Sequence, residues 1–338
     1  MRHLQRPGRD RNRLTVPRIA LDAMGGDRAP DEIVAGAVIA AERGVDVVLV
    51  GDREVVESNL EHSGVELPVV HAPDVIGMGD DPARSIREKP DSSIVRCARL
   101  VHDGDVAGFV SAGSTGAAMA CAAIIVGRLP GVQRPTIASV VPGVPTPTVV
   151  LDTGANPEVK ADHLVQFAHM GAALAEMLTT RRPVRVGLLS NGEERGKGRN
   201  LEKAAHDLLE RAIPGFVGNV EGRDIASDRA DVIVTDGFVG NVLLKTIEGA
   251  ASLIQAMMGA AVSGLATDVR SQLAHALAPV VERMDYEATG GAHLLGVDGV
   301  VVIAHGSSSR KAVANALVMA SDAAEAELVS RVAQGIAG

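Results

Sequence analysis

The chain has 338 residues, enough for one large or two modest domains, and carries 33 Lys and Arg against 42 Asp and Glu, a formal net charge of −9. Apolar residues make up 46% and charged residues 22%, the balance of a soluble globular protein, while aromatics are confined to Tyr286 and four Phe. Scarce aromatics argue against a single-stranded nucleic-acid binder built on base stacking, and the acidic balance disfavours a duplex partner held by phosphate neutralisation.

Residues 1–17 are Arg-rich and contain no apolar stretch, so they are expected to form a disordered tail and not a secretory signal. From Arg18 onward, β-branched runs alternate with helical patterns. Strands are predicted over 18–23, 45–51, 67–72, 106–112, 146–152, 184–190, 230–236 and 299–305. Between them the stretch 161–178 returns Leu164, Phe167, Ala168, Gly171, Leu174, Ala175 and Leu178 at three- and four-residue steps, one face of a helix. Such alternation predicts a three-layer α/β/α fold, with a mostly parallel sheet and right-handed crossovers. Three prolines in 142–147 divide the domain 18–338 into possible sub-lobes, 18–145 and 146–338.

The pattern changes after residue 246. The stretch 246–285 reads as a helical hairpin broken around Gly264–Thr267, and no residue between Gly249 and Thr267 is charged. It is about long enough to cross a bilayer, but its Ala, Gly and Ser gain little from hydrocarbon, so a spanning helix is not expected. A surface around Met257, Met258, Val262 and Leu265 that touches a membrane, or one that packs on a second subunit, are the two readings left open.

Nearly every predicted strand runs into a turn of small polar residues: DAMGGD (22–27), SAGSTG (111–116), LDTGAN (151–156), LLSNGEERGKG (188–198), TDGFVGN (235–241) and AHGSSS (304–309). In an open parallel sheet, ligands gather at strand carboxyl ends, where helix N-termini present free N–H groups. Any one such turn is more often an N-cap; the repetition points to a phosphate-sized anion. A Walker motif is absent, since Lys197 is followed by Gly198, and the first strand ends in Met24-Gly25-Gly26-Asp27 without a dinucleotide fingerprint. No metal-spaced His/Asp/Glu cluster and no nucleophile elbow is evident, so neither metal nor cofactor is expected. Cys97 and Cys121 stand singly in helical stretches and read as buried structural thiols of a reducing cytoplasm.

Together with GRLPGVQRP (127–135), GNVEGRDI (218–225), the stretch 230–249 and GGAHLLGVDG (290–299), these segments closely resemble the bacterial phosphate acyltransferases, the PlsX family of phospholipid synthesis. The likeness runs in order from about Arg18 to the C-terminal helix. It implies transfer of a fatty acyl group from an acyl carrier protein thioester to orthophosphate, without a cofactor. It also implies an isocitrate/isopropylmalate dehydrogenase-like fold shared with phosphotransacetylases, a homodimer, and peripheral contact with the inner face of the cell membrane. A downstream glycerol-3-phosphate acyltransferase would be the acceptor of the product. The chain departs from the family pattern at Ser114, Thr153, Ser309 and the 190–198 loop.

On that reading Lys197, Lys245, Asn241 and His305 are the candidate catalytic residues, with the lysines near the phosphate and His305 passing a proton to the leaving sulfur. The binding turns contribute Asp22, Gly25, Gly26, Asp27, Ser111, Gly113, Ser114, Thr115 and Gly116. Further along they contribute Asp152, Gly154, Asn156, Gly192, Glu194, Asp236, Gly237, Gly240 and Ser307. The bland alternatives make Lys245 a surface lysine and His305 a partner of its own turn. A bare carboxylate repels phosphate, so the aspartates are expected to orient basic and backbone groups. Arg181, Arg182, Arg185, Arg195, Arg199 and Lys203 are candidates for a basic face toward the acidic carrier protein. The rivals are a transferase using coenzyme A thioesters, a metal-dependent dehydrogenase of the same fold, and a non-catalytic membrane scaffold for lipid enzymes.

Overall fold

A computed structural model describes residues 16–61, 63–284 and 286–337, so the expected tail, apart from Val16 and Pro17, lies outside the described residues. The strands are β1 (Ile19–Asp22), β2 (Val47–Gly51), β3 (Val69–His71), β4 (Gly108–Ser111), β5 (Thr136–Val141), β6 (Thr148–Leu151), β7 (Val186–Leu189), β8 (Phe216–Val220), β9 (Val232–Val234), β10 (Ala292–Leu295) and β11 (Val300–Ile303). The helices of the first half are α1 (Asp31–Glu42), α2 (Arg53–Leu60), α3 (Pro82–Glu88), α4 (Ser93–Asp103) and α5 (Thr115–Cys121). Those that follow are α6 (Ala161–Leu178), α7 (Asn200–Ala212), α8 (Gly237–Ser263), α9 (Thr267–Met284), α10 (Tyr286–Thr289), α11 (Arg310–Glu325) and α12 (Leu328–Ala337).

All the strands form one sheet in the order β3-β2-β1-β4-β11-β10-β5-β6-β9-β7-β8. Each of the eight predicted strands is present, and helices cover both faces. Alternate residues explain the double burial. Leu21 and Leu49 feed the core on one side, whereas Ala20, Val48 and Phe109 feed the core on the other. On α6 the predicted stripe is buried except at Leu178, which is 38% exposed in the last turn; Met170 is buried with the stripe instead.

The sheet differs from a uniformly parallel one at its centre. Strands β5, β8 and β10 were not anticipated, and β10 and β5 form an antiparallel seam that joins β11 to β6. On one side of the seam β3, β2, β1, β4 and β11 run parallel; on the other β6, β9, β7 and β8 run parallel in the opposite sense. Short length and glycine hid these strands: β10 is four residues in a Gly-rich segment, and β8 carries Gly218 at φ +87°. The seam has a functional consequence. Ala138 of β5 is level with Leu151 of β6 on one side and His293 of β10 on the other, and His293 is level with Val302 of β11. The carboxyl ends of β6 and β11 therefore come to one level although their strands run oppositely.

Helix α8 ends at Ser263 and α9 begins at Thr267, the predicted break. By length and composition α8 is the one helix among the described residues that could cross a membrane, and it is mostly exposed. Its first turn is seated in the fold at Gly237 and Gly240, the two residues of α8 that are fully buried.

Candidate active site

The first wall of the site is made where β1, β4 and β11 end. The Ser111 hydroxyl donates to Asp22 Oδ2 at 2.7 Å, and the Met24 N–H donates to Asp22 Oδ1 at 3.3 Å. Ser111 Oγ in turn accepts the Gly113 N–H at 3.1 Å. Burial pushes the Asp22 carboxyl above the usual carboxylate range, and hydrogen bonds from Ser93, Ser111 and the backbone act against that shift. Gly25 is required by close approach: a Cβ there would lie 2.5 Å from the Asp22 carboxylate and 2.9 Å from the Gly113 nitrogen. The Asp27 N–H donates to the Gly306 carbonyl at 2.8 Å, beside Gly26, and so ties the first turn to the last. Ser114 caps α5 by accepting the Ala117 N–H at 3.4 Å, Thr115 is exposed beside it, and Gly116 is pressed against Pro82. His305 Nδ1 lies 2.8 Å from the Ser307 hydroxyl and accepts the Ser307 N–H at 3.3 Å.

The second wall begins where β6 and β9 end. Asp152 is fully buried and acts as a template for its turn. Its Oδ1 accepts the Gly154 and Ala155 N–H groups at 3.0 and 2.8 Å, while Oδ2 accepts the backbone and side-chain N–H groups of Asn156, both at 2.7 Å. Burial raises the Asp152 pKa, against the pull of these donors. Helix α8 starts directly on this turn. The Gly237 N–H donates to the Asn156 carbonyl at 2.8 Å, and a Cβ at Gly240 would sit 1.9 Å from the Asp152 carbonyl oxygen. Asp236 caps α8 by accepting the Val239 N–H at 2.8 Å, and the Arg199 guanidinium pairs with the same carboxylate. Three of the four aspartates, Asp22, Asp152 and Asp236, thus engage backbone, hydroxyl and guanidinium groups with their carboxylates, whereas Asp27 is exposed on the cavity wall. Two turns into α8, Lys245 pairs with Glu248 at 2.7 Å.

The two walls enclose one cavity of about 870 Å³, within the range of small-molecule sites. Among the predicted residues, Asp27, Gly113, Thr115, Gly154, Asn241, Lys245 and His305 line it. Five of the six polar turns contribute. The 188–198 loop does not: Gly192, Glu194 and Lys197 lie outside the lining, and the Lys197 stem is stacked near Gly192. That loop is tied to the site indirectly, through Arg199 and Asp236. Sequence reasoning missed Ser139, Ile225, Glu248 and Glu287 on the cavity wall. A signal existed for Ser139, because the Thr153 hydroxyl, one of the departures from the family pattern, lies 2.9 Å from the Ser139 hydroxyl.

Five of the six basic-face candidates are engaged within the chain. Arg181 and Arg185 share Asp228 and the buried Asp231, Arg182 meets Glu176, Arg195 meets Asp207 and Glu210, and Arg199 meets Glu202 and Asp236. Cys97 and Cys121 are buried, and desolvation pushes the Cys121 thiol up to about 12, so neither supplies a thiolate. One metal-compatible trio does occur among the described residues, contrary to the sequence reading. His206, Asp207 and Glu210 on α7 hold their ligand atoms within 4.8 Å of one another, but Arg195 already pairs with both carboxylates, away from the cavity.

The fold is that of the phosphotransacetylases. It matches one from Streptococcus pyogenes with a TM-score of 0.62 at 16% identity, over 91% of this chain and 94% of that one. A branched-chain phosphotransacylase from Enterococcus faecalis matches at 0.58 and 14% identity, over 91% and 99%. A 4-hydroxythreonine-4-phosphate dehydrogenase from Klebsiella pneumoniae matches at 0.52 and 13% identity, over 93% and 99%. In sequence, the family described as fatty acid synthesis protein matches residues 17–331. A phosphate acyltransferase of Pelotomaculum thermopropionicum is 47% identical over 94% of this chain and 95% of its own length. Another from Nitratidesulfovibrio vulgaris is 46% identical, over 94% of each. The chain belongs to this phosphate acyltransferase family and is an acyltransferase.

Proposed function

We propose that the chain transfers a fatty acyl group from acyl carrier protein thioester to orthophosphate, yielding acyl phosphate for phospholipid synthesis. The observation that carries this reading is the joining of polar turns from both halves of the sheet on one cavity, along whose α8 wall an apolar stripe runs beside a polar one. Hydrogen phosphate is itself an oxygen nucleophile, so no activated Ser or Cys is required. One phosphate oxygen attacks the thioester carbonyl, the new C–O bond forms, and the C–S bond breaks. His305 relays the phosphate proton to the departing thiolate, so charge and atoms balance. A free thiol has a pKa of roughly 8.5, which makes thiolate a good leaving group.

The remaining work is electrostatic. Lys245 and the turn N–H groups hold the phosphate, and Asn241 donates to the oxyanion of the tetrahedral intermediate. Lys197 approaches from the neighbouring loop, which Arg199 holds beside the start of α8. Asp22, Asp152 and Asp236 shape the turns without facing the anion as bare charges. The enzyme works in the cytoplasm as a homodimer. The apolar surface of the hairpin at Met257, Met258, Val262 and Leu265 gives it peripheral membrane contact, and the product passes to a glycerol-3-phosphate acyltransferase. Met257 is 64% exposed and Leu265 37%, which supports an apolar partner for this surface.

The test is incubation with palmitoyl acyl carrier protein and orthophosphate, followed by hydroxylamine trapping. Phosphate-dependent hydroxamate supports the reading. Signal only with coenzyme A thioesters replaces the acyl donor, and no signal from folded protein with either thioester leaves the scaffold.

A further inference from the structure

Helix α8 presents two adjacent stripes to the cavity. Asn241, Lys245 and Glu248 form a polar one, at four- and three-residue steps. Leu244, Ile247, Ala251 and Ile254 form an apolar one beside it, also on the cavity wall. Leu244 and Ile247 pack on the core that contains Val141 and Ile225, both of which line the same cavity. Ala251 is half-buried and Ile254 is 45% exposed, so the apolar stripe leads from the core toward the open end. From Asn241 to Ile254 the helix rises roughly 20 Å, which matches a long hydrocarbon chain and exceeds what a short acyl group would use. At Ala251 the stripe narrows to a methyl group between two isoleucines, leaving room on the wall.

Resting on the acyl-transfer reading above, we propose that this apolar stripe, facing Val141 and Ile225, holds the acyl chain of the substrate. Ala251 and Ile254 set the longest chain accepted. The carbonyl lies toward Asn241 and His305, and the methyl end lies toward Ile254. Added bulk at Ala251 shortens the usable groove by a further turn compared with bulk at Ile254, so the two positions produce different cut-offs.

The experiment compares wild type, Ala251→Phe and Ile254→Trp in two assays. Equilibrium binding of a fluorescent long-chain fatty acid, cis-parinarate, reads the groove without any turnover. It is expected to weaken at least tenfold in Ala251→Phe, with unchanged circular dichroism. Acyl phosphate formation is then measured with octanoyl, lauroyl and palmitoyl carrier-protein thioesters. The octanoyl-to-palmitoyl ratio of kcat/KM is expected to rise at least tenfold in Ala251→Phe and less in Ile254→Trp, in which lauroyl is spared. Equal losses at all lengths, or cis-parinarate binding unaffected by either substitution, would overturn the assignment. If wild type makes no acyl phosphate while cis-parinarate still binds and is displaced from the variants, the groove stands and the reaction assignment falls.

Discussion

Ser111 and Asp22 lie at the ends of neighbouring parallel strands, and a 2.7 Å hydrogen bond from the Ser111 hydroxyl joins them in a setting that excludes water. The carboxylate cannot be hydrated there, so its ionised form depends on the few donors that reach it.

Ser111→Ala is therefore expected to lower stability by about 1–3 kcal/mol, the usual cost of leaving a buried acceptor unsatisfied. Its pH dependence has a definite sign. The native Asp22 holds its proton more tightly than the unfolded chain does, so its contribution declines as pH rises from 3.8 through the raised native value. Losing a donor to the ionised form raises that value further. The stability gap between wild type and variant should widen as pH increases from 4, as urea titrations at several pH values would reveal. A gap that narrows with pH would contradict this account.

Arg199 joins α7 to α8 by reaching the buried Asp236. Arg199→Gln is expected to destabilise the chain by about 1–2 kcal/mol, below the full cost of an orphaned buried charge because the guanidinium is 56% exposed. A merely local effect would leave catalysis intact. Loosening the α8 cap should instead lower kcat at least tenfold with KM for the thioester little altered, and Arg199→Lys should recover part of it.

Lys245 lines the cavity and Lys197 stands on the adjoining loop. Either alanine variant is expected to reduce kcat/KM for phosphate, by 100-fold or more for Lys245→Ala, the scale set by removing one stabilising donor. Lys197→Ala should raise KM for phosphate chiefly. Phosphate kinetics indistinguishable from wild type in Lys197→Ala would confine that side chain to its loop.

His293 is buried in β10, and desolvation depresses its pKa to about 4. A neutral native imidazole and an unfolded one titrating near 6.5 make stability fall as pH drops from about 6.5 to about 4, at up to about 1.4 kcal/mol per pH unit. His293→Gln removes this proton uptake. Chemical denaturation across that window should show a shallower slope in the variant by about one proton, and identical slopes would remove His293 from the pH response.

The parallel halves of the sheet were legible because strands such as β2 and β11 are continuous apolar runs that lead into helices capped by Asp52 and Ser309. The seam was not, since β10 offers only Ala-His-Leu-Leu between glycines and β5 abuts a proline-rich break. Five polar turns were found by their composition, for glycine and serine mark a strand end wherever it lies. Periodicity could not tell which of them face one cavity. That depends on the level of Leu151 against Val302, set by strands the pattern did not disclose. Lys197 shows the converse. Its loop has the right composition, yet the Lys197 stem folds back beside Gly192 within its own loop, a direction that composition does not specify.

A last consequence follows from α8 running uninterrupted for 27 residues with its first turn seated on Asp152. The helix is a lever roughly 40 Å long whose fulcrum is the active site. It has no joint between Asn241 and Met257, so whatever grips the far end also sets the tilt of Asn241 over the cavity. On the proposed reading, contact at the tip and chemistry at the base are in this way mechanically one event.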